Sequence, residues 1–123
     1  MIKIYIASQY SDAGKIADEP TLFANVYQQM VAFDELVKIG YCPMAPLLSH
    51  YQHRYFPLPW RKWLQMDLEW IKVCDVLLRL PGVSNGADQE VAHAESLGIP
   101  VVRSIDEAHK LFMEKFAQEQ SIA

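Results

Sequence analysis

Four short apolar runs, separated by helical patterns or loops, restrict this chain to one kind of sheet. Residues 2–8 are apolar and β-branched and break into a polar loop at 9–14. Residues 41–46, 75–80 and 99–103 are the other three runs. Strands with a helix between them cannot pair as hairpins; they pair in parallel through right-handed crossovers. The expected architecture is therefore a three-layer α/β sandwich with a four- or five-stranded parallel sheet, formed as a single domain over residues 1–123.

The helices are marked by their punctuation. Pro20 suits a first helical turn, and Leu22, Val26, Met30, Phe33 and Val37 form a stripe that Gly40 ends. Pro59 opens a Trp-rich helix, whereas 47–59 reads as a long loop bearing aromatic residues and two histidines. A helix over 85–97 turns Ala87, Val91, Ala94 and Leu97 inward and stops at Gly98, and an amphipathic helix over 105–118 ends the pattern. Ligand crevices in such folds lie beyond the carboxyl ends of the strands, where strand order reverses. That rule gathers residues 8–11, 47–50, 81–86 and Ser104 along one edge.

Composition narrows the function classes. Half the residues are apolar (51%) and 21% are charged, which fits a globular chain with a real core. A net charge of −4 argues against a nucleic-acid polymer as partner, since that needs a basic stripe. No apolar run is long enough to span a bilayer, so the expected setting is cytoplasmic with no membrane partner. Cys42 and Cys74 lack metal-pair or redox spacing and lie in apolar runs, which predicts two buried thiols. There is no dinucleotide fingerprint and no Walker loop, and no cofactor is expected.

Two acids stand out. At about 100° per residue, Trp60, Trp63, Leu64, Ile71 and Cys74 share one side of a helix, and Asp67 falls among them. A carboxyl there should hold its proton more tightly than usual, which suits an acid that protonates a leaving group. The alternative is a buried acid satisfied by backbone amides, Arg54 or Arg61. Glu90 lies at the edge of the next helix's apolar face, and that helix opens at Ser84-Asn85-Gly86. Amides at a helix start favour an anion, so Glu90 is expected to stay ionised, as a nucleophile must. Its alternative is a first-turn acid serving the helix dipole.

The remaining candidates surround this pair. Tyr5 alternates with Ile4 and Ile6, so its phenol could reach a carboxylate at the strand ends or be an ordinary core residue. Ser84, Asn85 and Gly86 make a small-residue turn that admits a sugar or phosphate or simply caps a helix. Ser8 and Ser11 suit hydrogen bonding at the end of strand one. His50 is read as ligand-contacting or solvated, and with His53 it lacks a third metal ligand. Trp60, Trp63, Trp70, Tyr51 or Tyr55 could stack on a planar base. Asp75 reads as a turn residue between helix and strand.

Three stretches resemble the nucleoside 2-deoxyribosyltransferase superfamily. They are Ile4-Tyr5-Ile6-Ala7-Ser8, then Asp67-Leu68-Glu69-Trp70-Ile71 with Cys74-Asp75, then Gly86-Ala87-Asp88-Gln89-Glu90-Val91-Ala92-His93-Ala94 with Leu97-Gly98-Ile99-Pro100-Val101. The resemblance implies a flavodoxin-like or Rossmann-like sandwich and cleavage of the N-glycosidic bond of a deoxynucleoside or its 5′-monophosphate. It also implies Glu90 as nucleophile, Asp67 as the acid at the base, Tyr5 beside the nucleophile, and a homodimer or larger homo-oligomer. Two departures bear on substrate. Nucleotide-specific relatives carry an arginine after strand one, where this chain has Gln9-Tyr10-Ser11, which leaves Lys15, Arg54 or the Ser84 turn to meet a phosphate. Ser84 also stands where transferases carry an extra acid, which leans toward hydrolysis. The competing readings are a nucleotide-sensing module without turnover and a scaffold whose acids are merely satisfied.

Overall fold

The structure is a computed structural model that describes residues 1–11 and 18–122, with backbone alone over 119–122. Lys15 lies outside the described residues. Strands β1 (Lys3–Ala7), β2 (Cys42–Met44), β3 (Val76–Arg79) and β4 (Val101–Val102) form one parallel sheet in the order β2-β1-β3-β4. Helices α1 (Glu19–Ile39), α2 (Ser49–Tyr55), α3 (Trp60–Ile71), α4 (Asn85–Ser96) and α5 (Ile105–Ile122) connect and cover it. The order 2-1-3-4 is that of a flavodoxin-like sheet with four strands.

Alternation along the strands divides the core into two halves. Ile4, Ile6, Val76, Leu78 and Val102 face one side, where Ala32 and Leu36 of α1 and Ala108 of α5 close over them. Tyr5, Ala7 and Leu77 face the other, against Ile71 of α3 and Ala87, Val91 and Ala94 of α4. β1 and β3 are buried on both faces, which is why they read as continuous apolar runs. Asp75 locks the entry to β3 by accepting from the Lys3 amide at 2.8 Å while its own amide donates to the Lys3 carbonyl, the turn role expected of it.

Several expectations are corrected. The segment 47–59 is a 3-10 turn (Pro46–Leu48) running into α2, because His50 is anchored by tertiary bonds that hydrophobic periodicity does not register. The buried stripe of α1 is Val26, Gln29, Ala32 and Leu36, leaving Met30 and Val37 at 42% and 49% exposure. Small Ala32 lets the helix approach the sheet, and the Gln29 amide supplies a polar anchor within an otherwise apolar contact. Leu97 caps α4 rather than packing inward. Cys42 is exposed because β2 is a sheet edge, whereas Cys74 is buried. Gly40, at φ +125°, ends α1 where a side chain would strike Phe112.

Candidate active site

The chain leaves β1 toward β2 and returns past it to β3, so the ends of β1 and β3 meet at the switch point of the sheet. A cavity of about 590 Å³ opens there. Ser8, Tyr10 and Ser11 line it from the loop after β1, Leu47 from the turn after β2, Ser49 from the start of α2, and Trp60, Trp63, Leu64 and Asp67 from α3. Ser84, Asn85, Gly86 and Glu90 close it from α4. The stripe of α3 that reads as buried core is thus a cavity wall. Ile71 and Cys74 enter the core, Trp63, Leu64 and Asp67 are half-buried, and Trp60 is 57% exposed.

Tyr5 lies beneath the cavity floor, fully buried, and its hydroxyl donates to Glu90 Oε2. Burial, reinforced by the Glu90 and Asp67 charges, pushes the phenol well above its ordinary range, so Tyr5 remains a donor. Burial also pushes the Glu90 carboxyl up to about 8; the Tyr5 hydrogen bond opposes this, the Asp67 charge adds to it and the Arg79 guanidinium opposes it. Asp67 is pushed up to about 7, again by burial, with Tyr5 hydrogen bonding in opposition. Glu90 is therefore not held ionised by the helix start. It stands in the second turn of α4, and the dipole's influence fades within the first. Two carboxyls of similar proton affinity, served by one phenol, titrate as a pair and retain about one proton between them near neutrality.

Ser84 is the N-cap of α4, its Oγ accepting from the Ala87 amide at 3.1 Å. Ser8 Oγ accepts from Gln29 Nε2 at 2.9 Å. Both hydroxyls therefore keep a proton to donate. Gln29 also donates to the Ile6 carbonyl and accepts from the Leu47 amide, so one buried amide joins two cavity walls. A periodicity search for apolar faces passes over such a residue.

Arg79, missed by the sequence reading, is the last residue of β3 and is buried on the Tyr5 face. It donates to the carbonyls of Leu80 (2.5 Å) and Gly82 (2.8 Å) and to Asp88 Oδ1 (3.1 Å). A buried cation needs that many partners, and here they fix the loop leading into α4. A basic residue closing an apolar run was its only signal. Gly82 in that loop has φ +130°, and a Cβ there would approach Gln9 Oε1 to 2.7 Å.

The histidines exchange places. His50 is buried behind the wall, between Tyr10 and Glu19, and does not line the cavity. His53 does line it. Its Nδ1 accepts from Trp63 Nε1 at 2.8 Å and from the Leu58 amide at 3.2 Å, which puts the ring proton on Nε2. Arg54 pairs with Glu19 rather than with Asp67. Trp70 is exposed and takes no part in the cavity. Among the described residues no three His, Cys, Asp or Glu side chains gather as metal ligands, and no helix is long and apolar enough to cross a membrane.

The sequence matches no protein-family model and no curated protein. Among solved structures, the chain is similar to a 2-deoxyribosyltransferase from the psychrotolerant bacterium Bacillus psychrosaccharolyticus. The two share 22% identity over 80% of this chain and 69% of that one, with a TM-score of 0.54. The likeness is one of fold.

Proposed function

We propose that this protein is a nucleoside 2-deoxyribosyltransferase-like enzyme that cleaves the N-glycosidic bond of a 2′-deoxynucleoside or its 5′-monophosphate. The observation that carries the reading is the Tyr5 hydroxyl joined to Glu90 beneath a cavity that Asp67 also lines, with both carboxyls brought into the neutral pH range. A pair that retains about one proton has one carboxylate for attack and one acid for the leaving group, the division used by retaining glycosidases.

In this mechanism a Glu90 carboxylate oxygen attacks the anomeric carbon. The bond from that carbon to the base nitrogen breaks, its electron pair passes to the base, and Asp67 gives its proton to the base. Burial leaves the shared proton mainly on Glu90, so turnover runs through the form in which that proton lies on Asp67; the Tyr5 hydrogen bond and the Arg79 charge, which oppose burial at Glu90, help to populate it. Water or a second base then attacks the same carbon, its proton passing to the Asp67 carboxylate, and the bond to Glu90 breaks to release the carboxylate, giving hydrolysis or transfer. Ser8 and Ser11 face the sugar, and the Ser84-Asn85-Gly86 start of α4 receives a 5′ hydroxyl or phosphate. Trp60 and Trp63 flank the base. No cofactor takes part, and a cytoplasmic homo-oligomer, readable by light scattering, belongs to the same proposal.

Chromatography of deoxynucleosides, ribonucleosides and their monophosphates, with and without a free acceptor base, tests the reading. Release of free base is expected, with a glycosyl-enzyme mass adduct lost in Glu90→Ala while the fold persists. Absence of free base across the whole panel would overturn it.

A further inference from the structure

Tyr10 follows β1 and lines the cavity, and its hydroxyl lies 2.5 Å from His50 Nδ1. On the far side of that ring His50 Nε2 lies 2.9 Å from Glu19 Oε1, which also accepts from Arg54 Nη1 at 2.5 Å. Four residues from the β1 loop, α1 and α2 form a chain from the cavity wall to the surface. Asn25 of α1 holds the Tyr10 carbonyl at 2.8 Å, so backbone and hydroxyl are both fixed.

Proton positions along this chain follow from what each group can do. A carboxylate paired with a guanidinium only accepts, so His50 Nε2 carries a hydrogen and donates it to Glu19. In the neutral ring Nδ1 is then the acceptor. The partner of an accepting Nδ1 must donate, so Tyr10 commits its single O–H to His50. Burial and the nearby Glu19 charge raise the Tyr10 phenol above its ordinary range, so that proton stays on oxygen. The remaining lone pair is all the Tyr10 oxygen can offer a ligand.

We propose that His50 is a positioning residue that makes Tyr10 an acceptor-only group on the cavity wall, so that Tyr10 selects a nucleoside presenting an O–H or N–H donor to it. The inference rests on the nucleoside reading of the cavity. It complements Ser8 and Ser84, whose oxygens accept from within the protein and still carry an O–H to donate. A wall built to accept one hydrogen bond rejects an analogue that lacks the donor, because its own acceptor is then left unpaired.

Long-range proton–nitrogen NMR on the free protein reads the ring directly: Nδ1 of His50 is expected bare and Nε2 protonated. Turnover then compares 2′-deoxyadenosine with its 3′-deoxy analogue, which lacks a sugar hydroxyl, and with purine 2′-deoxyriboside, which lacks the base amino group. One of these two arms is expected to show a preference of about tenfold or more for the donor-bearing substrate, carried by KM rather than kcat. Tyr10→Phe and His50→Leu should bring that preference toward unity. His50→Gln, whose amide can accept from Tyr10 and donate to Glu19, should keep it. A protonated Nδ1, no preference in either arm, or a preference that Tyr10→Phe leaves unchanged overturns the inference. If no nucleoside is turned over, the proposed function fails on its own, and the NMR result with calorimetric binding of the same three nucleosides still decides this one.

Discussion

Replacing Glu90 by Gln should stabilise the folded protein in alkaline solution while abolishing turnover. The side chain keeps its shape, and its amide oxygen can still accept from Tyr5. What it loses is the charge that the buried site disfavours. Burial moves the Glu90 carboxyl from its ordinary 4.5 to about 8. Below 4.5 both folded and unfolded chains bind the proton, and Glu90 imposes no cost on the folded state. Between 4.5 and 8 the unfolded chain has released the proton and the folded one retains it, so stability falls as pH rises. At ~1.4 kcal/mol per pH unit the ceiling is on the order of 5 kcal/mol by pH 8. Water reaching the cavity side lowers the realised figure, and about 2–4 kcal/mol is expected. Urea denaturation of wild type and Glu90→Gln at pH 5, 6.5 and 8 measures it. The two proteins should agree within about 1 kcal/mol at pH 5 and diverge steadily above that. The variant keeps the shallower fall contributed by Asp67, which runs from 3.8 to about 7. Parallel curves, or a variant less stable than wild type at pH 8, would refute the assignment of Glu90 as a buried carboxyl destabilised by its charge.

Three further outcomes follow from the same geometry. Tyr5→Phe removes the hydrogen bond that lowers both carboxyls; the rising limb of kcat/KM should move to higher pH, with about 10–100-fold lower activity, as befits a lost bond to a charged group. Ser84→Ala deletes the cap on the Ala87 amide and should cost about 1 kcal/mol in urea denaturation. Gly82→Ala places a side chain at φ +130° and drives it into Gln9; a loss of about 1–3 kcal/mol by calorimetry is expected, since the loop cannot relax without breaking its bond to Arg79.

Much of the frame was legible because it is local. β1 and β3 announce themselves by unbroken apolar runs, and α4 by Ser84 ahead of a helical pattern. Asp67 and Glu90 are conspicuous because charge on an apolar face violates the pattern around it. What escaped depends on partners distant in sequence. The sequence of α2, Ser-His-Tyr-Gln-His-Arg-Tyr, has no apolar stripe, and its buried residue, His50, is held by Tyr10 and Glu19, 40 and 31 positions away. Gln29 reads as one more polar residue until Ile6, Ser8 and Leu47 arrive around its amide. The proton affinity of Glu90 escaped for a related reason: the helix start is visible in the sequence, whereas the depth of burial is a property of the assembled layers.

The two outer strands have a consequence for how this protein meets others. β2 is three residues long with Pro43 at its centre, and β4 is two residues long. A proline has no amide hydrogen to lend, and a two-residue edge offers too short a ladder to hold an incoming strand. The sheet is therefore poorly suited to growth by strand addition. Any self-association must use helix faces or the aromatic rim of the cavity. A crowded or concentrated solution should then produce discrete assemblies rather than fibrils seeded from the sheet.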